Sequence, residues 1–185
     1  MQASGSGRVR ILLPQACRLA ALVVAGAVLA GCGSNRLPEA GQPSFYASLA
    51  SANVEVDQAA AASMISGYRK NNGLGPVAID PVLSRLAAEH SRAMARADRM
   101  EHTLTQPFTA RLRAGGYDAV VAAENIGAGY HTLAEAFSGW RDSSGHRQNM
   151  LLKGATHMGI ATAYSPKSKY KVFWTLILAA PDQKR

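Results

Sequence analysis

The sequence predicts a single α+β domain, and three observations carry that reading. Helix-period apolar spacing fills the stretch from Asp57 to Leu152. Two β-branched and aromatic runs, Met158–Ala163 and Tyr170–Ala179, close the chain. They are separated by Ser165-Pro166-Lys167-Ser168, a turn-rich link that reads as the bend between paired antiparallel strands. Helices first and a hairpin last define the class, because each helical stripe needs a sheet to bury it. At 185 residues and 48% hydrophobic content the chain can fill one core.

The elements follow in order. Asp57 is placed to cap a helix running through Met64, Ile65 and Tyr68 and ending at Asn71-Asn72-Gly73, where left-handed backbone is tolerated. After a link containing Val77 and Ile79, Asp80-Pro81 starts a second helix: the Asp side chain accepts from free amides, and proline at the first position sacrifices no donor. Val82, Leu86, His90, Ala93, Met94 and Ala97 form its buried stripe, and the helix is expected to reach about Met100. A third helix is predicted over Phe108–Arg113, closed by Gly115-Gly116. Thr132-x-x-Glu135 is a capping box for a fourth over Leu133–Trp140. Ser143-Ser144-Gly145 turns the chain into a short helix around His146–Leu152.

Upstream of the domain the sequence reads as an export signal. Basic residues precede eleven apolar residues, Leu19–Leu29, which suit a signal core and fall short of a membrane span. Leu29-Ala30-Gly31-Cys32 resembles the lipobox of bacterial lipoproteins, which implies lipidation of the Cys32 thiol and membrane attachment through the N-terminal lipid. Each buried acyl methylene contributes about 0.8 kcal/mol, so several chains hold a protein at a bilayer. Gly33, not Asp, follows the cysteine; under Gram-negative sorting that points to the outer membrane. The expected organisation is a signal peptide over 1–31, a lipidated cysteine and tether over 32–56, and the domain over 57–181. Cys17 lies in the leader, so the mature chain has no pair for a disulfide.

The formal charge of +8 does not indicate nucleic-acid binding. The leader carries Arg8, Arg10 and Arg18 and no acidic residue, so its removal lowers the charge to +5. The remaining basic residues, Arg111 and Arg113 among them, are scattered without interleaved aromatics and read as solvated surface. Phosphate-loop, zinc-protease, Cys-x-x-Cys and nucleophile-elbow signatures are absent from the sequence.

Four segments carry a resemblance. They are Ala88-Glu89-His90-Ser91 through His102, Ala123-Glu124-Asn125-Ile126, the run from Trp140 through Ser144-Gly145-His146-Arg147 to Leu151, and His157-Met158-Gly159-Ile160-Ala161. Together they resemble the CAP superfamily of cysteine-rich secretory, antigen-five and pathogenesis-related-one proteins, in its bacterial, cysteine-poor branch. The resemblance implies a three-layer α-β-α sandwich with a cleft of two histidines and two acids, which in some members holds a divalent metal such as zinc. His102 and His146 match the histidines and Glu124 the first acid. The second acid of eukaryotic members falls at Ser143; Asp142 and Glu135 are near but out of register. Ser66 stands where the first helix usually has Asn, whereas Arg69 fits.

Two imidazoles and one carboxylate would make an open zinc shell or, equally, Glu124 and His102 would form a hydrogen-bonded pair fixing a loop. The N-terminal position of His146 on its short helix is expected to favour the neutral ring. His90 reads as a satisfied core histidine, and His131 and His157 as surface or turn residues. Asn125 is expected to bond its own turn, Ser143 and Ser144 to cap a helix, and Trp140 and Trp174 to fill the core. The functional expectation is an extracytoplasmic binding module for an apolar ligand, an envelope component or a protein partner. The alternatives are a metal-dependent hydrolase with Glu124 as base and a purely structural envelope protein.

Overall fold

The computed structural model describes residues 41–182; the segment read as a signal peptide, Cys32 and the first part of the expected tether lie outside the described residues. The elements are α1 (Gln58–Asn71), β1 (Ala78–Ile79), α2 (Pro81–Ala97), α3 (Phe108–Ala114), β2 (Ala119–Ala128), α4 (Leu133–Asp142), α5 (Ser144–Met150), β3 (His157–Tyr164) and β4 (Val172–Pro181). The strands form one sheet in the order β1-β3-β4-β2, antiparallel except for the two-residue parallel pairing of β1 with β3.

The start signals act as the sequence predicts. The Asp57 carboxylate accepts from the Ala60 amide at 2.9 Å, and Asp80 accepts from Leu83 at 2.9 Å with Pro81 at the first helical position. Thr132 and Glu135 exchange both bonds of the capping box. α2 stops at Asp98, whose φ of 48° leaves the helical region, slightly before the expected Met100.

β4 decides the architecture. Its residues are buried on both faces from Val172 to Ala180, so helices must cover the sheet on both sides. Val172, Trp174, Leu176 and Leu178 pack with Met158 and Ile160 of β3 against α1, α4 and Met150 of α5. The alternate residues Ile177 and Ala179 pack against Leu83, Leu86 and Ala87 of α2 and Leu112 of α3, while Phe173 packs with Met94. This is the three-layer sandwich. Trp140 and Trp174 meet edge to face in the first layer, ring centroids 6.1 Å apart. In the second, α2 lies directly on β3: a Cβ on Gly159 would sit 2.2 Å from the Leu83 carbonyl carbon.

Three expectations are corrected. The tether assigned to 32–56 ends earlier, because Ser44–Tyr46 form a 3-10 turn and Leu49 and Val56 are buried against α1 and α4. Ala119–Ala128 is a full strand where the sequence suggested a turn; its alanines and polar residues have low strand propensity, but nine residues pair with β4. The link at Val77–Ile79 supplies the short β1.

Arg69 is buried and donates to the carbonyls of Gly75, Met150, Leu152 and Ala155, clamping the chain after α5 to α1. Ser66 takes up the Asn position by bridging both backbone groups of Val77 with its hydroxyl.

Candidate functional site

The site is organised by β2, an edge strand of the sheet. Successive strand residues point to opposite faces, so Glu124 enters the α2 layer while Asn125 enters the α5 layer. One dipeptide thereby reaches both helical layers.

Glu124 is buried, its side chain 2% exposed, and both carboxylate oxygens are occupied. Oε1 accepts from His102 Nδ1 at 2.8 Å, and Oε2 accepts from Arg111 Nη2 at 2.6 Å. Burial pushes the Glu124 carboxyl up, but the His102 hydrogen bond and the adjacent Arg111 guanidinium outweigh it and hold the group below the usual carboxylate range. It is an anion locked in an ion pair. With Oε1 as acceptor, Nδ1 of His102 is the donor, so Nε2 is the nitrogen of this half-exposed ring that is turned away from Glu124.

The other layer positions His146. Asn125 Nδ2 donates to the His146 carbonyl at 2.9 Å, and Asn125 Oδ1 accepts from Asn149 Nδ2 at 2.9 Å. Asn149 also donates to the Glu124 carbonyl at 3.1 Å, so α5 is stitched to β2 at three points. Asn125 therefore crosses to another element; it does not bond its own turn. Burial lowers the proton affinity of His146, and the nearby His102 lowers it further. The ring is neutral as expected, through burial and a second imidazole.

The remaining candidates stand apart. Asp142 is exposed and pairs with its neighbour Arg141 at 2.8 Å. Ser143 occupies the position before α5, but its hydroxyl makes no capping hydrogen bond. Cys32 lies outside the described residues. His157 is half-buried at the start of β3, where its Nδ1 lies 3.0 Å from the Tyr117 hydroxyl.

Two residues of the cluster belong to it although the sequence reading placed them elsewhere. Arg111, read as surface, is buried on the apolar side of α3; its place one residue from Leu112 in a seven-residue helix was the available signal. His90 is in the core as expected and sits against the cluster: its Nε2 lies 4.0 Å from Glu124, and the Glu101 backbone interacts with its ring. Burial lowers the proton affinity of His90 against the attraction of Glu124, which keeps the ring neutral.

The donor set does not fit the three-ligand shell that the resemblance implies. No group of three or more His, Cys, Asp or Glu able to hold a metal ion occurs among the described residues. Both Glu124 oxygens already accept a hydrogen bond, and the carboxylate acts on His102 from behind, fixing which way the ring faces. The imidazoles of His102 and His146 remain, near enough for the first to lower the proton affinity of the second.

Fold and site together define a CAP domain. The chain belongs to the CAP family, the cysteine-rich secretory protein family, whose model matches residues 62–178. It is 28% identical over 130 residues to the uncharacterized protein YkwD of Bacillus subtilis, covering 69% of this chain and 50% of that relative. The chain thus spans half the length of this curated relative. Among solved structures, an extracellular protein of Bacillus anthracis containing an SCP domain superposes with a TM-score of 0.58 at 25% identity, over 65% of this chain and 39% of that one. An outer surface protein of Borrelia burgdorferi superposes with a TM-score of 0.61 over 68% of this chain and 93% of that chain; at 18% identity the likeness is one of fold. No helix among the described residues is long and apolar enough to cross a membrane.

Proposed function

We propose that this protein is an exported, lipid-anchored CAP-domain binding module, and that its cleft recognises an apolar ligand, an envelope component or a partner protein without a chemical step. The observation that carries the reading is the engagement of Glu124: this buried carboxylate accepts from His102 and is paired with the Arg111 guanidinium, which hold its proton affinity down and make it a weak base. His102 and His146 remain as hydrogen-bonding groups beside it. A carboxylate held below the usual range is a poor general base, which counts against the metal-dependent hydrolase. Export and anchoring are supported by the leader and by Cys32, and the extracellular and outer-surface descriptions of the structural relatives agree with that placement. Gly33 favours the outer membrane where the envelope has one.

The test is hydrolysis of ester and amide substrates by the full chain in mild detergent, with and without added zinc, beside His102→Ala and His146→Ala. No histidine-dependent turnover is expected. Turnover lost in both variants while the fold persists would overturn the binding-module reading. Metabolic labelling with palmitate tests the anchor: label should enter the wild type and not Cys32→Ser, and equal labelling of both refutes lipidation at Cys32.

A further inference from the structure

A cavity of about 320 Å³ opens between α2, α3 and the loop joining them, and neither His102 nor His146 lines it. Arg85, Glu89 and Arg96 form one wall, Thr105 and Gln106 another, and His90 and Arg111 lie at its base. Three guanidinium groups, Arg85, Arg96 and Arg111, line it with Glu89, and Arg111 is also paired with Glu124 behind it, so the net positive charge rests on Arg96. Arg85 is already engaged, by Glu89 at 3.0 Å and by the Gly115 carbonyl at 2.9 Å. Arg96 is exposed and has no ion-pair partner among the described residues.

Arg111 is the telling residue. It is 9% exposed, and its Nη2 serves Glu124 and the His102 carbonyl, but Nε and Nη1 are buried without any acceptor among the described residues. Unsatisfied buried donors of a charged group are costly and are retained in few places other than binding sites. A guanidinium has donors only, so what it lacks is acceptors; the fork matches an oxyanion, and neither a cation nor an apolar molecule would satisfy it. We propose that this cavity binds a phosphate-sized oxyanion, free or as the terminal group of a phosphomonoester, held by Arg111 at the base and Arg96 at the mouth with Thr105 and Gln106 as neutral partners. The site adjoins the His102–Glu124 cluster through Arg111 but needs no ligand at the imidazoles, so it goes beyond the binding-module reading.

Calorimetric titration of the full chain in mild detergent with inorganic phosphate, and separately with glycerol 3-phosphate, in a chloride buffer tests it. One saturable site per chain is expected. Arg96→Glu, at an exposed position that does not endanger folding, should weaken binding by about tenfold or more, as loss of a charged contact does. Lys153→Glu makes the same charge change away from the cavity and should leave affinity within about twofold at moderate salt. Tighter binding of phosphate identifies a free anion; tighter binding of glycerol 3-phosphate identifies a phosphomonoester. A nitrogen-15 spectrum of the arginine side chains should show the Arg111 Nε–H resonance moving with saturation. No saturable binding of either probe, equal weakening by both charge reversals, or an Arg111 signal that stays fixed would overturn the proposal.

Discussion

Replacing Arg111 by Met isolates the interaction on which the reading of the site depends. The substitution keeps an unbranched apolar side chain but removes the guanidinium from the Phe108 ring and from a carboxylate that is 2% exposed. Losing one partner of a buried pair costs about 3–5 kcal/mol, because the remaining charge is left uncompensated. For a domain of this size that corresponds to a fall in Tm of roughly 10–15 °C. The pH dependence should also invert. In the wild type the folded-state proton affinity of Glu124 is held down, so its stabilising contribution is complete above the ordinary glutamate range and disappears as pH falls through the lower folded value. Without Arg111, burial dominates and raises the carboxyl, so the variant should become less stable as pH rises from about 4.5 toward neutrality. Adding Glu124→Leu should restore most of the loss, since an apolar pair can replace a buried ion pair at little cost. Thermal melts and urea denaturation at pH 5 and 7 for wild type, Arg111→Met, Glu124→Leu and the double variant check every step. A single variant that melts within about 2 °C of wild type with an unchanged pH profile would refute the claim that Arg111 locks Glu124.

Other substitutions probe the rest of the frame. Gly159→Ala forces a methyl into the backbone of α2 at Leu83, which cannot rotate away, so the loss should reach or exceed the ~1–3 kcal/mol of ordinary overpacking, read from urea midpoints. Asn125→Ala removes two side-chain bonds from a buried position, and hydrogen exchange should accelerate across α5 while β4 stays protected; uniform protection would dismiss the stitching role. His90 is neutral when folded and free to protonate when unfolded, so its contribution is present above about pH 6.5 and lost as pH falls below it. His90→Leu should flatten that acid slope between about pH 6.5 and 5, and an unchanged slope would place the acid sensitivity elsewhere.

The parts of the fold legible in the sequence are those specified by local chemistry. Asp57, Asp80-Pro81 and Thr132-x-x-Glu135 each act within one turn, and each starts its helix where the residues predict. β4 was legible too, through a run of large apolar residues that only a doubly covered strand can bury. β2 was not, because Ala-Ala-Glu-Asn has no intrinsic preference for a strand and takes its conformation from pairing with Leu176, Ile177, Leu178 and Ala179 across the sheet. The site divides along the same line. His102, Glu124 and His146 could be found by their motifs, but their roles depend on partners distant in the chain. Whether Glu124 is a base or a locked anion turns on Arg111, thirteen residues away on another element, and Arg111 in a seven-residue helix offers too short an amphipathic pattern to reveal which way it faces. A carboxylate's chemistry is set by what fills its lone pairs, and that is a property of the packed layers.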